Sequence, residues 1–195
     1  MTIIPSENFA NSAIGTLFTV LLFTILVIEL SILSKPRLSG GFGRDKRSFL
    51  YILLGLGLAL FSIFIFPILG IGNINTNFSY FGIILMILGF TLRQWSIRIL
   101  GKLFTPIISI QEGHKLIIRG LYKYVRHPSY TGLLIEYLGF ALAVSNWISF
   151  VAVICFLFPA ILYRIKIEEK ELINKFGQKY IDYKMRTKYL IPWIQ

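Results

Sequence analysis

The chain has 195 residues, of which 55% are hydrophobic and 15% charged, with a mean hydropathy of +0.71. That is too apolar for an ordinary soluble domain of this length and marks a membrane protein. The net charge of +11 would suit a nucleic-acid binder if the cations shared one soluble face, but they gather at the ends of apolar blocks, which argues against nucleic acid.

Five apolar blocks approach the ~20 residues needed to cross a ~30 Å hydrocarbon core. The first covers residues 11–33; no basic segment precedes it and no cleavage site follows, so it reads as a retained anchor. The stretch Ser39-Gly40-Gly41-Phe42-Gly43 after it fails as a phosphate loop. No strand leads into it and no acidic residue follows on a second strand, so it reads as a flexible cytoplasmic turn. Residues 48–69 and 78–100 form the second and third blocks. Residues 129–145 and 147–163 form two short ones, joined at Ser145-Asn146, that read as a tight antiparallel hairpin or a re-entrant pair. Cys155, the single cysteine, lies in the last block, which excludes an internal disulfide and a cysteine-based metal site.

The basic residues orient these blocks. Lys and Arg number five between blocks one and two, five between blocks three and four, and eight after block five, 18 of the 20 in all. Arg93 and Arg98 lie toward the same end of block three, and the opposite connections carry none. The positive-inside rule then places the N-terminus outside and the C-terminus in the cytoplasm. The predicted fold is an all-α integral membrane protein of about five transmembrane helices, the last two a short hairpin, with a cytoplasmic C-terminal helix.

That last helix is predicted over 165–188, where Ile167, Leu172, Ile173, Phe176 and Tyr180 recur at helical spacing, with Gly177 as a stop or kink. Tyr180, Tyr183 and Tyr189 interleave with lysines and Arg186 ahead of Pro192 and Trp193, a mixture that suits a membrane interface.

Several residues carry candidate chemistry. Arg164 and Glu168 are four apart and share a helical face where hydrocarbon gives way to headgroups. They form either a solvated salt bridge or two anchors, the Arg for a carboxylate and the Glu for an ammonium group. In Arg126-His127-Pro128, Pro128 suits the first helical turn and turns His127 outward, with Arg126 snorkelling to phosphate as the plain alternative. Gly113 to Tyr122 forms a partly buried connection whose backbone polar groups are available to a ligand. His114 and His127 lack the one-face spacing of a metal site, so no metal is expected. Glu29, Arg93, Arg98 and Glu136 lie inside blocks, where Arg93 calls for one of the glutamates as a partner.

Taken together, LRQWSIRILG, GHKLI, GLY, RHPSYTG, the Arg-x-x-x-Glu-Glu run, FGQKYIDY and the terminal Ile-Pro resemble the isoprenylcysteine carboxyl methyltransferase family and its phospholipid methyltransferase relatives. The resemblance implies a membrane enzyme with S-adenosylmethionine in a cytoplasmic pocket and a lipophilic substrate arriving from the bilayer. Position by position it implies that His114, Lys115, Leu116, Ile117, Tyr122, His127, Pro128, Ser129 and Tyr130 wrap the cofactor and that Glu168 holds its amino group. Arg164 then meets the substrate carboxylate as the catalytic residue. Where the family often has a polar cofactor contact ahead of GHKLI, this chain reads TPIISIQEG, with Ser109 and Gln111 as candidates. Residues 11–100 would supply three spans and 101–195 the catalytic region of one membrane domain.

Methyl transfer to a carboxylate with a pKa near ~4 needs no general base, so positioning and desolvation carry the reaction. A phospholipid amine or a thiol would instead need one, with Glu169 and Glu136 as candidates. The remaining alternatives are an NADPH-dependent sterol reductase, which shares an Arg-His-Pro-x-Tyr-like region, and a noncatalytic protein gripping anionic lipid.

Overall fold

The computed structural model describes residues 13–33, 46–75, 77–106 and 115–190. The glycine-rich turn at 39–43, His114, Ser109, Gln111, Pro192 and Trp193 lie outside the described residues. The described chain is helical: α1 (Ala13–Leu33), α2 (Lys46–Ile68), α3 (Asn77–Leu100), α4 (Pro128–Ala143), α5 (Trp147–Ala152), α6 (Phe158–Phe176) and α7 (Gln178–Arg186). A π-helical segment, Val153–Leu157, joins α5 to α6, so the chain runs as one rod from Trp147 to Phe176.

Four of these stretches are long and apolar enough to cross a membrane: Ala13–Ile32, Arg47–Ile68, Asn77–Leu103 and Trp147–Phe176. The first three blocks coincide with α1, α2 and α3. The fourth block becomes α4, whose 16 residues fall short of that length. The fifth block does not stop at Tyr163. No glycine or proline interrupts the charged segment behind it, and the helix runs on to Gly177, whose φ of +54° turns the chain into α7.

Among the described residues α3 and α4 form the most closely packed pair, and glycines explain it. Gly82 and Gly89 on α3 face Gly139 and Gly132 on α4, each pair two helical turns apart and hence on one face. A Cβ on Gly132 would lie 2.6 Å from the Arg93 backbone nitrogen, and one on Gly89 would lie 2.3 Å from that of Glu136. Backbone therefore packs on backbone, as small residues permit between helices in lipid. Gly55 plays the same part between α2 and the rod, where a Cβ would meet Ala160 at 2.8 Å and the Phe156 carbonyl at 2.9 Å.

The hairpin between α4 and α5 closes at Ser145, the one non-glycine residue with positive φ among the described residues (+52°). Asn146 caps α5 by accepting from Ser149 N at 2.9 Å, and its amide donates to the Ile71 carbonyl at 2.7 Å. The hairpin tip is thus tied to the α2–α3 connection. Within the bundle Arg93 donates from Nε and Nη2 to the two oxygens of Glu29, each at 2.7 Å, a bidentate pair that fastens α1 to α3.

Gly132→Ala is expected to be strongly destabilising, lowering the melting temperature in detergent by several degrees, because overpacking costs about 1–3 kcal/mol and here the obstacle is backbone. Gly57→Ala, where a Cβ meets nothing within 4 Å, is the control and is expected to leave the melt unchanged or raised.

Candidate active site

Arg126, His127 and Pro128 enter α4 at the point where α6 and α7 meet. Pro128 occupies the first helical turn, and His127 stands before it with φ −126° and ψ 53°. Arg126 does not snorkel: it is 6% exposed, and its Nε donates to Glu169 Oε1 at 2.9 Å. Its Nη1 donates to the carbonyls of Lys184, at 2.9 Å, and Thr187. Those carbonyls lie in the last turn and at the C-cap of α7 and lack intrahelical donors, so the guanidinium donates to them instead of reaching out to a phosphate. His127 Nε2 lies 3.3 Å from Glu169 Oε1, and Lys184 Nζ donates to Glu169 Oε2 at 2.7 Å. Glu169 thereby joins α4, α6 and α7. Residues 124–126 also pair with Lys188, Arg126 N donating to its carbonyl and Lys188 N to that of Tyr124, both at 2.9 Å.

Under this clamp lies a cleft with about 910 Å³ of empty volume. Arg164, Glu168, Leu172 and Phe176 recur every four residues along α6 and give it one wall. Tyr180 and Tyr183 of α7 close one side, and Lys115, Leu116, Ile117 and Tyr122 the other. The start of α4 contributes His127, Ser129 and Tyr130. Of the described residues that the family resemblance assigns to cofactor and substrate, Pro128 is buried at the helix start without lining the cleft and the rest line it, whereas Glu29, Arg93, Arg98, Glu136 and Glu169 do not.

A chain of hydrogen bonds runs through the cleft. Arg164 Nε donates to the Tyr130 hydroxyl at 2.9 Å, and that hydroxyl donates to Glu168 Oε2 at 2.9 Å. The Arg and Glu that share a helical face are therefore linked through a phenol of another helix. Arg164 is 3% exposed, and its other nitrogens reach Ser48 Oγ of α2 at 3.1 Å and the Pro106 carbonyl.

A second, apolar groove of about 490 Å³, with Ile32, Phe49, Ile52, Leu56 and Leu133 among its walls, adjoins the cleft. Phe104, Thr105, Tyr130 and Arg164 line both spaces. Arg164 thus stands where a partly polar cleft meets an apolar passage between α1, α2 and α4.

The tyrosines of the C-terminal segment depart from the expectation of an interfacial belt. Tyr180 and Tyr183 are 1% and 9% exposed and point their bulk into the cleft. Burial raises the phenol of Tyr183 to about 12 and pushes those of Tyr122 and Tyr180 higher still, so all three are neutral at physiological pH. Tyr183 donates to the Tyr122 carbonyl at 2.7 Å, while the buried Tyr180 hydroxyl has no hydrogen-bond partner among the described residues. Of the apolar face read over Ile167, Leu172, Ile173, Phe176 and Tyr180, Leu172, Phe176 and Tyr180 line the cleft while Ile173 lies on the other side of α6. Thr105 opens the loop TPIISIQEG, in which the resemblance calls for a polar cofactor contact, and nothing in the sequence marked Phe104 or the clamp at Glu169.

The match to known proteins centres on this region. Residues 82–174, just under half of the chain, match the model of the isoprenylcysteine carboxyl methyltransferase (ICMT) family. Protein-S-isoprenylcysteine O-methyltransferase B of Arabidopsis thaliana is 37% identical over 118 residues, 60% of this chain and 60% of that protein. The corresponding enzyme of Saccharomyces cerevisiae is 36% identical over 115 residues, 58% of this chain and 48% of that protein. The chain thus spans about 60% or less of the length of these curated relatives. A solved structure of the eukaryotic intramembrane Ras methyltransferase ICMT shares the fold with a TM-score of 0.62 at 23% identity, covering 93% of this chain and 67% of that one. The family resemblance read from the motifs is borne out, and so is a multi-pass, all-helical membrane fold.

Glu169→Gln removes the charge that Arg126, His127 and Lys184 share. Breaking a buried ion cluster at one partner costs about 3–5 kcal/mol. The expected result is a lower melting temperature and faster limited proteolysis after Arg186, read against wild type; unchanged proteolysis would show that the clamp does not hold α7.

Proposed function

We propose that the chain is an integral membrane methyltransferase that uses S-adenosylmethionine to methylate the carboxylate of an isoprenylcysteine-like lipophilic substrate. The observation that carries this reading is the position of Arg164 and Tyr130 on the shared wall of a partly polar cleft and an apolar groove. A reaction between a polar donor and a membrane-borne acceptor needs such a junction. In this reading α4 is the fourth of five spans, crossing at the short limit, and the cleft opens to the cytoplasm with the N-terminus outside.

The residues of the cleft suit the cofactor. Glu168 offers a carboxylate to its ammonium group, Lys115 and Arg126 supply positive charge for its carboxylate, and the rings of Tyr122, Phe176, Tyr180 and Tyr183 offer π faces to a sulfonium and an adenine. The unpartnered Tyr180 hydroxyl adds a buried polar group on that wall. When bound, S-adenosylmethionine supplies an electrophilic methyl group.

The protein's part is positional. Arg164 holds the acceptor carboxylate, exchanging its contacts to Ser48 or Pro106 for the substrate, and the Tyr130 hydroxyl fixes its plane relative to Glu168. The apolar groove excludes water from the nucleophile, and near-attack positioning accounts for several of the roughly 7–11 kcal/mol that proximity offers. No proton has to move, because the acceptor is already an anion at neutral pH. Neither carboxylate that an amine or thiol acceptor would call on as a base lines the cleft: Glu169 is occupied by three partners and Glu136 is buried between α3 and α4. That favours the carboxylate acceptor.

Calorimetry on the detergent-solubilised protein with S-adenosylhomocysteine tests the cofactor site. Saturable binding is expected, weakened at least tenfold in Glu168→Gln, as loss of a charge-assisted hydrogen bond of about 1.5–3 kcal/mol would require. NADPH is expected to give no heat; saturable NADPH binding without S-adenosylhomocysteine binding would point to the reductase instead.

Turnover with an N-acetyl-S-prenylcysteine tests the acceptor site. Arg164→Lys is expected to lower kcat at least tenfold while cofactor affinity stays within about threefold, because Lys keeps the charge but loses the planar fork. Equal losses in both, in protein with a wild-type melt, would remove Arg164 from the acceptor site. Tyr130→Phe breaks the link between the two anchors and is expected to worsen both KM for the acceptor and cofactor affinity.

A further inference from the structure

On the face of α6 turned away from the cleft lies a separate groove with about 1030 Å³ of empty volume, bounded by α7 and the segment after it. Its walls include Leu162 and Tyr163 at one end, Lys166, Lys170 and Lys184 along its length, and Tyr189 opposite. None of these residues belongs to the cleft or to the apolar groove beside it.

The chemistry of the walls changes along the groove in the order a phospholipid would require. Leu162 and Tyr163 close the apolar stretch of the rod, and Tyr163 is held at the bundle surface by an edge-on contact with Tyr51 of α2, ring centroids 5.1 Å apart. Lys166 stands three residues beyond Tyr163 and Lys170 four beyond Lys166, so they rise from that tyrosine along one helical face. A tyrosine at the hydrocarbon boundary followed by snorkelling lysines is the pattern that seats a headgroup.

Charge points the same way. The one carboxylate on the groove wall, Glu169, already accepts from Arg126 and Lys184. Lys166 and Lys170 are exposed and have no carboxylate partner among the described residues. The groove therefore carries an excess of positive charge beside an apolar rim, and a neutral zwitterion would leave that excess unmet. We infer that this groove is a binding site for an anionic phospholipid, its phosphate between Lys166 and Lys170 and its acyl chains running past Leu162 and Tyr163. The site requires no assumption about the reaction catalysed.

Its position gives the site a consequence. Lys184 and Glu169 on the groove wall also belong to the clamp that fixes Arg126 and His127. Lipid in the groove would support α7 from outside while the clamp holds it from inside, so bound lipid stabilises the folded protein by mass action.

The test uses the full chain in nanodiscs of phosphatidylcholine alone or with one third phosphatidylglycerol. For wild type, phosphatidylglycerol is expected to raise the melting temperature by about 3–6 °C, and Lys166→Gln/Lys170→Gln is expected to abolish that rise. Lys175→Gln/Lys179→Gln removes the same charge from exposed positions off the groove and is expected to keep it. An equal loss in both double variants would reduce the effect to general surface charge, and a rise that survives in Lys166→Gln/Lys170→Gln would place the lipid elsewhere. Either overturns the inference. Inorganic phosphate added to phosphatidylcholine nanodiscs is expected to do nothing; a rise matching that of phosphatidylglycerol would make this a small-anion site and overturn the lipid assignment. Lysine substitutions that shift the melt equally in both membranes would show a groove that takes no lipid.

Discussion

The cleft depends above all on one carboxylate. Glu169 receives Arg126 Nε at 2.9 Å, Lys184 Nζ at 2.7 Å and His127 Nε2 at 3.3 Å, and so draws the entry to α4, the middle of α6 and the end of α7 into contact. α7 has nine residues, too few to persist as a helix in isolation. Its closing carbonyls at Lys184 and Thr187 are satisfied by the same Arg126 that holds Glu169. Helix, cap and ion pair therefore stand or fall together. Burying such a cluster is no gain in stability by itself, since desolvation offsets much of the attraction. What it provides is a fixed angle between α6 and α7, and with it the aromatic wall of the cleft.

Inside that frame Tyr130 does for the two halves of the site what Glu169 does for the scaffold. Its hydroxyl has one proton to give and lone pairs to receive, and it uses both, donating to Glu168 and accepting from Arg164. A direct ion pair between Arg164 and Glu168 would have neutralised both anchors. The intervening phenol keeps their charges apart while holding them in register, which in the proposed reading leaves one available to an anion and the other to a cation. Tyr130 is aimed by its neighbours: α4 is pressed on α3 through Gly132 and Gly89, and Ser129 Oγ receives Arg93 Nη1 at 3.1 Å. The pair Arg93–Glu29, deep among apolar helices, thus reaches the site through a single residue.

Much of this was legible in the sequence, for physical reasons. Block length and hydropathy marked α1, α2 and α3 because lipid requires it, and charge asymmetry separated the ends of the blocks. The apolar face read over Ile167, Leu172, Ile173, Phe176 and Tyr180 held three residues of the cleft wall, Leu172, Phe176 and Tyr180, but also Ile173, which lies on the other side of α6. The short motifs named most of the cleft lining, from Lys115 to Glu168. What stayed hidden was pairing at long range. Arg126 read as a snorkelling cation because its partners, Glu169 and two carbonyls near residue 185, are more than 40 residues away. The tyrosines of α7 read as an interfacial belt because composition does not say which way a helix is turned after a glycine with positive φ. The partner of Arg93 was correctly sought among the glutamates, but two were available, and only the packing of α1 against α3 selected Glu29 over Glu136.

The unselected glutamate shows how far backbone packing overrides side-chain chemistry here. Glu136 is 0% exposed, and neither of its carboxyl oxygens has a hydrogen-bond partner among the described residues. Its own backbone is what meets Gly89 across the α3–α4 contact, so the helix cannot rotate to offer the carboxyl group to Arg93 without opening the tightest contact in the bundle. Arg93 in turn is already held in a bidentate pair by Glu29, the geometry that best uses a guanidinium fork. Burying a carboxyl group without a hydrogen-bond partner is costly, and the glycine contact across α3 and α4 is what holds it there. The order of constraints in this bundle is therefore glycine contact first, bidentate pairing second, and satisfaction of the remaining carboxyl last. That order lets a short α4 place Tyr130 against Arg164 with little freedom to drift.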